Sequence, residues 1–169
     1  MTAEEKQGMI QRVRSILNTI PDPEIPVISI VELGVIRGVS IGDDAQIIID
    51  LTPTYSGCPA TEAFMKDIRT TLGKEGYDSI HINTVYDPAW TTEWMSDEAR
   101  EKLRKYGIAP PEKGTHDKGV LFASGPKSVA CPQCDSRDTQ LISQFGSTAC
   151  KSLYKCNNCL ETFDYFKCI

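Results

Sequence analysis

Residues 35–59 read VIRGVSIGDDAQIIIDLTPTYSGCP. Two runs rich in β-branched residues, VIRGVSI and AQIIIDL, flank Gly42-Asp43-Asp44, a pattern that predicts a β-hairpin. The second run gives way to LTPTYSGCP, a hydroxyl-rich loop with Gly57 ahead of Cys58. Proline is tolerated in the first turn of a helix, so a helix is expected from Pro59, with Phe64, Ile68 and Leu72 as its buried stripe. Gly73 or Gly76 would stop it.

Upstream, Ile10, Val13, Ile16, Leu17 and Ile20 recur at helical spacing, and Pro21 ends that helix. Pro21, Pro23 and Pro26 then hold IPDPEIP extended or turned. Downstream, SIHINTVY (79–86) alternates as a third strand, with Ile80 and Ile82 on one face. The order helix, strand, strand, helix, strand predicts an α+β fold: a small α/β sandwich with helices on one face of a three-stranded sheet. In DPAWTTEWMSDEAREKLRKYGIAPP (87–111), Ser96 is an N-cap with Asp97 and Glu98 in the first turn. Ala99, Leu103 and Tyr106 are expected to face inward, with Gly107 as the stop. Residues 110–128 mix Pro, Gly, Lys and Asp without periodicity and read as a linker. The expected domains are therefore 1–109, the linker 110–128, and 129–169.

Composition narrows the function. The 169 residues are 40% hydrophobic, enough for a packed core. Eighteen basic against 23 acidic side chains leave a net charge of −5, so nucleic acid is not an expected partner. No apolar run approaches the roughly 18 to 20 residues of a membrane helix, and no membrane association is expected. The start, MTAEEKQGMIQRV, has no apolar signal region, so the expected location is the cytoplasm.

Seven cysteines are present, and six lie between Cys131 and Cys168. Cys131-Pro-Gln-Cys134 and Cys156-Asn-Asn-Cys159 are two CxxC knuckles about twenty residues apart, the spacing of a zinc ribbon. Thiolates bind zinc tetrahedrally and each knuckle supplies two corners; iron or an iron–sulfur cluster is the rival occupant. TQLISQF, KSLYK and ETFDYFK suit the ribbon's short strands. Cys150 and Cys168 fit no ligand pattern; a second site, redox chemistry or simple packing as small hydrophobes are open to them, with packing the expected reading.

Cys58 stands apart. A helix N-terminus favours thiolate, the form that binds metal, and Thr52, Thr54, Tyr55 and Ser56 add hydrogen-bonding groups around it. Asp22 and Glu24 alternate in the proline-stiffened turn and, if it is extended, point the same way. Two carboxylates with one thiolate would suit iron; a cation, or simple separation in space, would relieve their repulsion, and DPE in a turn taken alone reads as a solvated cap rather than a ligand pair. Trp90 and Trp94, at i and i+4, have the spacing of core or docking-surface aromatics, and two so close suggest an interface more than a catalytic pocket. His81 and His116 have no recognisable partner, and no catalytic residue is assigned.

The N-terminal part resembles the SufT-like domain family associated with iron–sulfur protein maturation. Asp22, Pro23, Glu24 and Pro26 carry its turn motif, Leu33-Gly34 its leucine-glycine pair, and Thr52, Thr54, Gly57, Cys58 and Pro59 its loop. Glu32 stands where that family has Asp, and Tyr55-Ser56 where it has Thr-Pro. With the 87–111 block, FGSTACK and FDYFKC, nearly the whole chain is similar to the PaaD family of bacterial phenylacetate degradation. That resemblance implies an accessory subunit of a multicomponent di-iron oxygenase that epoxidises the ring of phenylacetyl-CoA. It implies partners among the oxygenase and reductase subunits; the fold family often pairs, which leaves a homodimer open. Neither a Glu…Glu-x-x-His pattern nor a dinucleotide fingerprint is present, so no catalysis by this chain alone is expected.

The expected function is metallocentre maturation. Cys58 would serve as a transient ligand for iron or an iron–sulfur cluster, Asp22 and Glu24 would assist, Thr52 and Thr54 would line the loop, and a zinc-holding ribbon would dock the client. The alternative is a non-catalytic adaptor that holds oxygenase subunits together through Trp90, Trp94 and the ribbon. A weaker third reading is thiol enzymology at Cys58.

Overall fold

A computed structural model describes residues 2–113 and 128–167. His116, Cys168 and the stretch 114–127 of the expected linker lie outside the described residues. The chain divides into two compact units, Met1–Trp90 and Thr91–Ile169.

The first unit opens with α1 (Ala3–Leu17), held at its start by a reciprocal cap: Glu5 N–H donates to Thr2 Oγ1 at 3.2 Å and Thr2 N–H to Glu5 Oε2 at 2.7 Å. Val13 and Leu17 are buried, whereas Ile20 is buried one turn beyond the helix end. The segment after it folds back on itself, with Pro21 and Ser29 bridged and Asp22 N–H on Ile28 O at 2.9 Å. Ile25, Ile28, Ile30, Leu33 and Val35 are buried, so this proline-rich stretch is tied down by its apolar residues.

The hairpin forms as expected: β1 (Ile36–Ile41) and β2 (Ile47–Leu51) pair antiparallel, from Ile41 opposite Ile47 to Ile36 opposite Leu51. β3 (Ile80–Thr84) joins parallel to β2, giving the order β1-β2-β3. A parallel neighbour requires a crossover, and α2 (Ala60–Lys74) supplies it. Phe64, Ile68 and Leu72 of α2 and Ile47, Ile49 and Leu51 of β2 are fully buried, each contributing about 1.5–3 kcal/mol of burial free energy.

In the second unit a single 3-10 turn (Thr92–Trp94) precedes α3 (Asp97–Tyr106). Ser96 Oγ accepts from Ala99 N–H at 3.0 Å, and Gly107 ends the helix at φ +93°, as the sequence predicts. β4 (Ile108–Ala109), β5 (Thr139–Ser143), β6 (Lys151–Cys156) and β7 (Thr162–Phe166) form a sheet in the order β4-β7-β6-β5. β5, β6 and β7 are antiparallel neighbours, while β4 runs parallel to β7.

Three details depart from the sequence reading. The division at Trp90/Thr91 differs from the expected boundary at 109, because β4 pairs with β7 and Ala109 packs with Val129, Cys131, Tyr154, Cys156, Phe163 and Tyr165. Of the expected inward face of α3, Ala99 and Leu103 are buried but Tyr106 is exposed. Arg100 is buried instead: its guanidinium donates to Pro111 O and, at 2.6 Å, to Thr92 O, so it ties together the segments on either side of the helix. Trp90 and Trp94 do not share a helix face, since Trp90 precedes the 3-10 turn and Trp94 ends it.

Candidate metal centre and the thiol loop

The two knuckles fold alike. Cys131 N–H bonds to Ser136 O at 3.0 Å, and Cys156 N–H to Glu161 O at 2.9 Å. Each turn is completed by a residue in the left-handed region directly after its second cysteine, Asp135 at φ +61° and Leu160 at φ +67°. Paired turns on β6 and the strand ends beside it carry four sulfurs to one point. Cys131 Sγ lies 3.7 Å from Cys159 Sγ and Cys134 Sγ 3.6 Å from Cys156 Sγ, and all four are within 4.8 Å of one another.

A tetrahedral ion with metal–sulfur bonds of about 2.3 Å requires sulfurs about 3.8 Å apart, which these distances match. The set is too tight for a multi-iron cluster, whose cysteines bind different irons. The four cysteines form a cluster whose geometry suits a metal ion.

The tetrad is lopsided. Cys131 and Cys156 are completely buried, whereas Cys134 and Cys159 are half-exposed. The Ser136 amide and the Asn158 side chain draw the Cys134 thiol down to about 6. The Glu161 amide also acts to lower Cys159, but burial and the surrounding thiols outweigh it and push that group up to about 12. Burial raises Cys131. Asn158, whose Nδ2 lies 3.7 Å from Cys134 Sγ, was not among the expected site residues. Its position inside the second CxxC was the only sequence signal for it.

Cys58 sits where the sequence places it, just before α2. Gly57, at φ +81°, bends the loop without the strain a side chain would bring. Cys58 N–H bonds to Tyr55 O at 3.2 Å, Cys58 O accepts from Thr61 N–H at 3.1 Å, and the residue is half-exposed. Thr52 is buried at 1% exposure with its hydroxyl unpartnered among the described residues, while Thr54 is half-buried.

The carboxylates behave differently from the extended-turn expectation. Asp22 is 6% exposed, and its Oδ1 accepts from Glu24 N–H at 2.8 Å and Ile25 N–H at 2.7 Å. The turn curls around that oxygen, so Asp22 is a loop-closing acceptor. Glu24 is half-exposed. Among the described residues, the tetrad is the one group of three or more His, Cys, Asp or Glu whose ligand atoms gather at coordination distance; Cys58, Asp22 and Glu24 form no such group.

Of the two interface candidates, Trp90 is 4% exposed with its indole N–H on Leu33 O at 3.1 Å, which makes it part of the first unit's core; Trp94 is half-buried. Cys150 is buried, its Sγ 3.0 Å from Thr148 Oγ1, and His81 is exposed on β3. No helix among the described residues is long and apolar enough to cross a membrane.

Comparison with known proteins agrees with both halves of this picture. Residues 10–83 match the iron-sulfur cluster assembly protein family, and residues 116–167 match the PaaD zinc beta ribbon domain. The chain is 48% identical over 160 residues to an Escherichia coli (strain K12) protein described as a component of 1,2-phenylacetyl-CoA epoxidase, covering 95% of this chain and 93% of that one. It is 34% identical over 88 residues to the Fe-S protein maturation auxiliary factor of Porphyromonas gingivalis (strain ATCC BAA-308 / W83), covering 52% of this chain and 83% of that protein. Among solved structures, the domain of unknown function DUF59 from Bacillus anthracis superposes with a TM-score of 0.57 at 27% identity, covering 60% of this chain and 97% of that one.

Proposed function

This chain belongs to the PaaD family of 1,2-phenylacetyl-CoA epoxidase components, and on that footing we propose that it is the factor that matures the epoxidase's metallocentre. It acts in the cytoplasm on the oxygenase or reductase subunits, passing iron or an iron–sulfur cluster through Cys58 while the ribbon, holding zinc, docks the client. A homodimer, left open by the family resemblance, belongs to the same proposal.

One observation carries this reading: among the described residues, Cys58 and the ribbon tetrad are sulfur sites of different kinds. The tetrad offers four convergent ligands, as a permanent structural ion requires. Cys58 is half-exposed and has no ligand group assembled around it among the described residues. A group that must release its cargo needs this sort of incomplete coordination. The similarity of the first unit to iron–sulfur maturation proteins supports the choice of cargo.

The test is metal analysis of the oxygenase purified from cells whose copy of this chain carries Cys58→Ser. The expected product is an iron-poor oxygenase, restored to full metal content by iron and sulfide added in vitro. A fully loaded oxygenase would overturn the proposal. The adaptor reading is weakened by the burial of Trp90, which removes one of the two side chains it relied on.

A further inference from the structure

The uneven burial of the tetrad has chemical consequences. Two of its cysteines, Cys131 and Cys156, are fully buried, and two, Cys134 and Cys159, are half-exposed and packed against the ribbon's core cluster. The half-exposed pair are not equivalent, because hydrogen bonds to a metal-bound sulfur draw off electron density and reduce its nucleophilicity. Cys134 receives the Ser136 amide and the Asn158 side chain. Cys159 receives a single backbone amide, that of Glu161. Cys159 is thus half-exposed and, lacking a counterpart to the Asn158 side chain, the less protected of the pair.

Cys159 has a close neighbour on the other knuckle. Cys131 Sγ is 3.7 Å away, and the second cross-knuckle pair, Cys134 and Cys156, is 3.6 Å apart. A disulfide between Cys131 and Cys159 would link the two knuckles as the metal ion does.

We propose that Cys159 is the peroxide-reactive thiolate of the ribbon and that its oxidation to a Cys131–Cys159 disulfide releases the metal ion while leaving the two knuckles joined. The thiolate of Cys159 attacks one oxygen of hydrogen peroxide. A sulfur–oxygen bond forms, the oxygen–oxygen bond breaks, and hydroxide leaves to be protonated to water. The Cys131 thiolate then attacks the sulfenic sulfur: the disulfide forms, the sulfur–oxygen bond breaks, and a second hydroxide takes a proton from solvent. Two thiolates lose two electrons and one peroxide becomes two waters. The tetrad, left with two of its four ligands, gives up its ion. Peroxide is thereby coupled to loss of the ribbon's metal, independently of anything Cys58 does.

The experiment titrates the zinc-loaded full-length protein with hydrogen peroxide, following released zinc with a chromogenic chelator and locating disulfides by peptide mass spectrometry. Zinc release should track formation of the Cys131–Cys159 disulfide one for one, ahead of any Cys134–Cys156 product. A brief N-ethylmaleimide pulse on the untreated zinc protein should label Cys159 at least several-fold faster than the other three ribbon cysteines. Asn158→Ala removes a donor from Cys134 at an exposed position and should move part of the disulfide to Cys134–Cys156. Disulfides confined to Cys131–Cys134 or Cys156–Cys159, zinc retained while Cys58 oxidises, or first labelling of Cys134 would each overturn the inference. So would an unchanged disulfide pattern in Asn158→Ala, the check that does not depend on losing a ligand.

Discussion

At the scale of single residues, Asp22 shows how a side chain of the right chemistry can be engaged elsewhere. Its carboxylate is buried and holds the amides of Glu24 and Ile25. Asp22→Ala should therefore destabilise the first unit by about 1–3 kcal/mol, because the amides lose their acceptor and one of them is buried. Asp22→Asn keeps an acceptor oxygen in place and should cost less than about 1 kcal/mol. Urea unfolding of both variants checks this; equal losses would point to a need for the charge itself, as a metal ligand would have. The four ribbon cysteines could be identified from sequence because a CxxC turn is a local structure and its spacing is the geometry. For Asp22 the sequence leaves both ligand and cap open, since its oxygen's choice between metal and amide depends on how tightly the turn closes; the structure shows the cap, buried rather than solvated. Asn158 was hidden for the same reason: an exposed Asn carries no signal of which atom it faces.

At the scale of elements, the strands and helices of the first unit were readable almost residue by residue. Their apolar periodicity coincides with what is buried: Phe64, Ile68 and Leu72 on α2, and Val13 and Leu17 on α1. α3 was harder, because Arg100 occupies a buried position that an apolar pattern skips. The knuckles give a prediction of their own. Above a pH of about 6 the Cys134 thiol, lowered by the Ser136 amide and Asn158, has already shed its proton, so a metal ion displaces none from it. Below that pH the proton is back and must be expelled. Cys159, pushed up to about 12, gives up its proton to the incoming ion throughout this range. The number of protons released per zinc bound should accordingly rise by one as the pH is lowered from about 8 to about 5. Calorimetric titration in buffers of different ionisation enthalpy measures it, and a count independent of pH would show that the asymmetry between the two half-exposed thiols is absent.

At the scale of the whole molecule, the two units differ in what holds them. The first buries a continuous set of Ile, Leu and Phe side chains; the sheet of the second has a smaller cluster in which Cys131 and Cys156 take part. A core of that size is short of what a small domain needs without a metal. Chelation should unfold the ribbon's sheet and leave the first unit intact. Each unit contains one tryptophan, Trp90 in the first and Trp94 in the second, so single-tryptophan proteins report on them separately. With Trp90→Phe the remaining emission should shift to the red on chelation, and with Trp94→Phe it should not; a shift in both would mean that the units unfold together. The boundary between the units was the feature least visible in the sequence, because β4 is only two residues long and has no periodicity to detect. That short strand also matters to anyone who wishes to isolate the ribbon. A fragment cloned from residue 129 would lack β4, baring the flank of β7 and inviting neighbouring fragments to stack strand against strand into aggregates. The cleaner cut is at residue 91, which keeps β4 attached to α3.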